Sequence, residues 1–313
     1  MDCRVKPGND TVRQGRGSSE DREMSEFLQF AFSGITVGAV YAMVALGFTI
    51  IYNASDVVNF AQGEFVMLGG MATVFLTAAG IPLPLAALLA ILIAAATGVA
   101  LNKLVIEPAG NASVVTLIII TIGASIFLRG LAQVVFDRQL HRLPSFSGDD
   151  PIAVLGASLT PQSLWVLGGA AVIVVLLYFF FNRTLFGKSI LATSHNRLAA
   201  QLVGIDVRLV LLISFALSAA IGAVAGILVT PITLTSFDVG TMLALKGFAS
   251  AMLGGMGHPV GAVVGGLLVG LAEALGAGYI SSEYKDAVAF LIILAVLFFL
   301  PRGLFGRTGT ERV

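Results

Sequence analysis

Apolar runs of bilayer-spanning length, repeated along nearly the whole chain, constrain its folding more than any motif does. A helix needs about 20 predominantly apolar residues to cross a membrane, so the runs can be counted directly. They are Phe27 to Tyr52, Val57 to Ala79, Pro82 to Ile106, Ser113 to Phe136, Gln162 to Phe181, Leu209 to Ile232, Val239 to Met256, Val260 to Ile280 and Asp286 to Leu300. Charged residues make up 12% of the chain, against roughly a quarter in soluble domains, and the mean hydropathy is +0.95. The expected fold is an all-α polytopic membrane protein, a bundle of about 8–9 transmembrane helices with broken or re-entrant segments.

Charge then orients the bundle. Arg183, Lys188, Arg197 and Arg208 stand against the single acid Asp206 between Asn182 and Arg208, and Arg302, Arg307 and Arg312 against Glu311 in the tail. Short basic loops stay in the cytoplasm. The loop from Asp137 to Pro161 instead offsets Arg138 and Arg142 with Asp137, Asp149 and Asp150. If both basic segments are inside, the short Val239 to Met256 run has to cross as well, which gives nine crossings and puts Met24 outside. The net charge of zero, with no basic patch outside the loops, argues against nucleic acid as a partner. Cys3 is the only cysteine, and His141, His195 and His258 show no ligand spacing, so no metal site is expected.

Within 182–208, Leu191, Leu198, Leu202 and Ile205 recur at spacings of seven, four and three, which predicts one side of a helix lying at the membrane surface. Asn196 is placed to cap its second half and Gly204 to end it. The segment either rests on lipid headgroups or docks a partner. Its pattern of Gly187, Lys188, Ala192, Asn196, Ala199, Ala200, Gly204 and Ile205 resembles the cytoplasmic coupling loop of LivH-type permeases, the membrane subunits of ABC importers for branched-chain amino acids. Leu191 departs from that pattern, where an arginine is usual.

Two further stretches carry the same resemblance. Asn59-Phe60-Ala61-Gln62-Gly63-Glu64 is similar to the family's NFA-x-GE motif, with Gln62 where histidine is frequent, and Ser281 to Arg307 is similar to its C-terminal signature. The three stretches together spread the likeness over Met24 to Val313. An acid near the middle of a membrane helix costs at least ~2.5 kcal/mol, so it faces a partner or a wet cavity. Asn59, Gln62, Gly63 and Glu64 are therefore candidates for the substrate pathway at a broken helix, with a structural pairing of Glu64 as the alternative. Glu273 and Arg129 lean further toward pairing or snorkelling.

The resemblance implies a permease subunit that translocates branched-chain or related amino acids delivered by a periplasmic binding protein, in a bacterial inner membrane. It also implies a LivM-like sister permease and two cytoplasmic ATPase subunits. The alternatives are a stand-alone secondary amino-acid transporter coupled through Glu64 or Glu273, and a membrane anchor without transport. Gly187-Lys188-Ser189 looks like the end of a phosphate-binding loop, but Asn182 stands where that loop needs glycine. No cofactor and no catalytic residue are expected on this chain, and ATP would be bound by the partner subunits.

Three smaller expectations complete the reading. Residues 1–23 are polar and lack a signal-peptide core, which points to a disordered tail or to translation starting at Met24, leaving 24–313 as the transmembrane domain. Gly222 and Gly226, Gly261 and Gly265, and Gly266 and Gly270 are spaced for close helix approach. The pentapeptide Met67-Leu68-Gly69-Gly70-Met71 recurs at Met252-Leu253-Gly254-Gly255-Met256, which favours both places as irregular elements on the path.

Overall fold

The computed structural model of the chain describes residues 10–306 apart from 111, 155 and 301, and at 10–22, 289 and 297 the backbone only. Helix α1 spans Asp10–Ser55, α2 Gln62–Ala78 and α3 Leu83–Leu101. A π-helical turn, Asn102–Ile106, joins α3 to the short α4, Glu107–Ala109, and α5 spans Val114–Val135. The strands β1, Ile152–Val154, and β2, Ala157–Leu159, precede α6, Pro161–Arg183. Then come α7, Leu185–His195, α8, Arg197–Leu202, and α9, Val207–Thr233. The last helices are α10, Val239–Gly254, α11, Pro259–Tyr279, and α12, Lys285–Phe299.

Among the described residues, six helices are long and apolar enough to cross a membrane: those covering Glu23–Ser55, Leu83–Ala109, Val114–Val135, Pro161–Arg183, Val207–Thr233 and Pro259–Tyr279. They differ in what surrounds them. The most apolar stretch of α1 is 89% buried inside the chain, and that of α5 only 11%. Helix α1 is thus a central post, packed on α9, α10 and α11, whereas α5 turns Ile119, Ile126, Phe127 and Val134 outward. In a bilayer this costs nothing, because lipid tails are as apolar as the side chains they meet.

Local chemistry sets the helix ends. Asp206 Oδ1 accepts from the amides of Arg208 at 2.9 Å and Leu209 at 3.3 Å to start α9, and Ser113 Oγ accepts from Thr116 N at 3.2 Å to start α5. Asp56 and Leu234 take positive φ values of 56° and 65°, ending α1 and α9. After each of these breaks the chain turns back into the bundle before a new helix begins.

Helix α2 starts deep in the protein. Gln62 lies against Gly47, about two turns before the end of α1. The run from Val57 therefore does not open as helix, and Asn59 lies ahead of α2 rather than within its opening turns. Non-helical backbone is tolerated at this depth only where protein satisfies it. Asn59 Oδ1 accepts from Ala61 N at 3.1 Å, and Thr121 Oγ1 accepts from Phe60 N at 3.3 Å. Gly63 and Gly240, at the starts of α2 and α10, touch backbone to backbone, so a Cβ on either would overlap the other.

The paired glycines work as spaced. A side chain on Gly226 would meet the Val66 carbonyl, one on Gly265 the Ser250 carbonyl, and one on Gly270 the backbone of Gly38. The repeated pentapeptide fares differently. Met67 to Met71 lies inside the regular, buried α2, and the second copy closes α10, where Gly255 adopts φ +99°. The irregular element near the first copy is 56–61, because the φ reversal at Asp56 breaks the helix there and Met67 to Met71 contains no such reversal.

The two ends of α1 mark two faces. In its N-terminal half Ser25 Oγ donates to Gly156 O at 2.6 Å and Gln29 Nε2 to Ser158 O at 2.9 Å, which seats the β-hairpin there. The hairpin lies in the polar 137–161 loop and leaves the bundle itself all-α. At the other end lie α7, whose Ile190 packs in one cluster with Ala54, and residues 302–306, where Leu304 N donates to Leu253 O at 2.8 Å. The segments carrying the basic residues Arg183 to Arg208 and Arg302 share that face. Arg307 and Arg312 lie outside the described residues, as do residues 1–9 of the polar N-terminus. Residues 10–23 are helical and continue α1, since extending an existing helix is easier than nucleating one.

Candidate functional site

The candidate pathway residues are all buried, with Asn59 and Glu64 1% exposed and Gln62 fully enclosed. Gln62 ties α2 to α9: its Oε1 accepts from Ser218 Oγ at 2.6 Å, and its Nε2 donates to Ser218 O at 3.2 Å. Gly63 serves the close contact with α10. Glu64 reaches α5, where its Oε1 accepts from Ser125 Oγ at 2.7 Å and meets Arg129 at 3.5 Å. The two residues, considered separately in the sequence, are thus partners across α2 and α5.

This pair is only partly satisfied. Glu64 Oε2 and Arg129 Nε are both buried and have no hydrogen-bond partner among the described residues, and neither has Asn59 Nδ2. The Arg129 side chain remains 29% exposed. It lies well inside α5, where a bare cation against hydrocarbon would cost at least ~2.5 kcal/mol. The side of α5 that bears Arg129 therefore faces something polar, either water or protein.

A second charge cluster joins Glu273, an intramembrane acid that the sequence marks, to Lys246, which the sequence does not mark because it sits in a short, glycine-broken run. Lys246 Nζ lies 2.9 Å from Glu273 Oε1 and 2.7 Å from Asp286 Oδ1. Tyr41 donates to Glu273 Oε2 at 2.8 Å, and Lys285 approaches Oε1 at 3.4 Å. Both carboxylate oxygens of Glu273 are thereby engaged, and α1, α10, α11 and α12 meet around it.

On the face that holds α7 and α8, Asn59, Asn102, Glu107, Arg197 and Arg208 help line a cleft of about 210 Å³. Arg208 reaches Glu107 at 3.8 Å, linking the base of α9 to the turn after α3. The cleft runs from the break before α2 to the start of α8.

The 182–208 segment folds as two helices. Thr184 Oγ1 accepts from Gly187 N at 3.0 Å to start α7, and Asn196 Oδ1 accepts from Ala199 N at 3.0 Å to start α8, as its position suggested. Gly204 follows α8 with φ +88°, which suits glycine. The single apolar side does not survive the break at Asn196. Leu191 and Ile205 pack onto the core, whereas Leu198 and Leu202 are 72% and 88% exposed. Gly187 is pressed against the backbone of Phe180 and Phe181, and Ala200 is buried. Lys188, Ala192, Asn196, Ala199 and Gly204 are exposed.

Buried broken helices, intramembrane charges held by protein partners, and an exposed helical elbow between two spans define a polytopic membrane transport domain. Residues 30–297 match the family described as "Branched-chain amino acid transport system / permease component", and the chain belongs to that family. It is similar to the high-affinity branched-chain amino acid transport system permease protein LivH of Salmonella typhimurium, with 34% identity over 92% of this chain and 98% of that one. BraD of Pseudomonas aeruginosa, described in the same words, is 30% identical over 93% of this chain and 99% of its own. The ribose import permease protein RbsC of Haemophilus influenzae is 26% identical over 83% of this chain and 81% of its own.

Proposed function

We propose that this chain is the permease subunit of an ATP-driven importer, translocating branched-chain or related amino acids across a bacterial inner membrane. The family match over residues 30–297 carries the reading. In it a LivM-like sister permease completes the membrane part, two cytoplasmic ATPase subunits bind and hydrolyse the ATP, and a periplasmic protein delivers the substrate. Among the described residues, nine elements cross or enter the membrane: the six long spans, with α2, α10 and α12. The face with α7 and α8 is cytoplasmic, and the face with the β-hairpin meets the binding protein.

The outward side chains of α8 are the contact with the ATPase, because Leu198, Leu202 and Val203 are 72%, 88% and 77% exposed on a face that the basic residues keep out of the bilayer. Ala200 instead seats α8 on its own chain. Leu202→Arg leaves the protein inserted and folded but unable to co-purify the ATPase, whereas Ala200→Arg lowers the yield of folded protein itself. Retention of the ATPase by the Leu202 variant contradicts this docking. Uptake of leucine that survives an uncoupler and stops on ATP depletion separates the importer from a proton-coupled transporter, and the reverse pattern removes the proposal.

A further inference from the structure

The longest charge pair with a buried member, among the described residues, lies on the least attached span of the bundle. Helix α5 touches the rest of the chain chiefly through α2 and the π-helical turn after α3. It stands off α3 across an apolar groove lined by Ile93, Ala96, Leu128, Leu131 and Val135. The contact that holds α5 to α2 includes Ser125 and Arg129 on Glu64. Opening this contact bares one full negative and one full positive charge. Each already carries a spare group, Glu64 Oε2 as acceptor and Arg129 Nε as donor. Arg129 is also the member that reaches the partly exposed side of α5.

Complementary groups for such a pair occur together on a free α-amino acid, whose ammonium donates and whose carboxylate accepts. We propose that Glu64 and Arg129 read the two charges of the passing amino acid, Glu64 taking the α-ammonium and Arg129 the α-carboxylate as α5 moves off α2. This rests on the transport reading above and gives it a recognition site. The exchange keeps the charge balanced at every stage: the protein pair neutralises itself when closed and the zwitterion neutralises it when open. A neutral aliphatic side chain adds no further charge, and the apolar groove beside α5 gives it a surface to lie along. A carboxylic acid without the amine, or an amine without the carboxylate, would leave one of the two protein charges uncompensated.

The test uses the whole importer, with its sister permease, ATPases and binding protein, in proteoliposomes supplied with leucine and ATP. Leucine moved per ATP hydrolysed is the readout, because a role confined to holding helices together would not change it in the complexes that assemble. Arg129→Gln is expected to keep the ATP hydrolysis stimulated by loaded binding protein and to lose about 10- to 100-fold in leucine moved per ATP, the loss of one charge-assisted contact. Arg129→Lys keeps the cation and retains an intermediate ratio. Where Arg129→Gln does not assemble, the exchanged pair Glu64→Arg with Arg129→Glu restores the helix contact and reverses the order of the charges. It is expected to hydrolyse ATP without moving leucine. An unchanged ratio in Arg129→Gln, or full leucine transport by the exchanged pair, overturns the inference and leaves only helix pairing. A wild-type importer that moves no branched-chain amino acid defeats the functional reading instead.

Discussion

Two acids, Glu64 and Glu273, are buried among the described residues, and they are held in opposite ways. Glu273 has both oxygens engaged, by Tyr41 at 2.8 Å and by Lys246 at 2.9 Å, and Asp286 completes the coordination of Lys246. Glu64 has one oxygen engaged and one without a partner among the described residues, and its cation is 3.5 Å away on a span that packs little else. A charge costs most to bury where its partners are incomplete. The Glu273 cluster therefore acts as a fastener at which four helices meet, and the Glu64 pair as a contact that can open.

Substitutions sharpen that contrast. The largest effect belongs to Lys246→Met, which leaves Glu273 1% exposed with its main cation gone. It is expected to cost about 3 kcal/mol, the low end for breaking a buried pair, because Tyr41 and Lys285 still hold the carboxylate. A lower melting temperature and a smaller yield of detergent-stable protein would register it, and wild-type melting would erase the distinction between the two sites.

Glu64→Gln comes next. The amide keeps the volume and can still accept from Ser125, and Arg129 keeps its partly exposed side, so the expected loss of stability is about 1–2 kcal/mol. Melting measured beside Lys246→Met decides the order, and a larger loss in the Glu64 variant would reverse the comparison. Asp286→Asn is smaller again, since Asp286 is 51% exposed and solvent can replace what it gives Lys246. The expected change is below ~1 kcal/mol, and it should shrink further in high salt.

Asp137, outside the membrane, supplies the solvated limit. The Gln139 amide donates to it at 2.7 Å, and His141 lies 3.0 Å away, and these contacts hold its carboxyl below the ordinary value of 3.8. A depressed folded value means that the contact stabilises above the unfolded value and is lost as pH falls through the folded one. Asp137→Asn should thus lower the melting temperature slightly at pH 7, with the gap to wild type closing below about pH 4. A gap that widens in acid would mean that another group controls this loop.

What could be read along the chain were properties carried by neighbours in sequence. Run length marked the hydrophobic segments. Charge asymmetry marked the segments that share a face, and Asn196 and Gly204 marked the ends of α8, because capping involves groups three or four residues apart. The glycine spacings named contact faces for the same reason. The exposed side of α8 is not legible in the periodicity of Leu191, Leu198, Leu202 and Ile205, which holds only for one continuous helix, because extended backbone at Asn196 breaks the helix and turns the second half away.

Only the tertiary structure decided which charges are partners. Glu64 and Arg129 are 65 residues apart and Glu273 and Lys246 are 27 apart, so no local pattern relates them. Depth was equally hidden. Nothing local says that α2 begins beside Gly47, because that position follows from the φ reversal at Asp56 and the fit of Gly63 against Gly240. The sequence by itself determined that the chain lives in a membrane, where its six long apolar helices lie and to which family it is related. Its charges had to be brought together by packing, because in a bilayer a charge is stabilised by whatever polar group lies across from it, and that group is set by the fold.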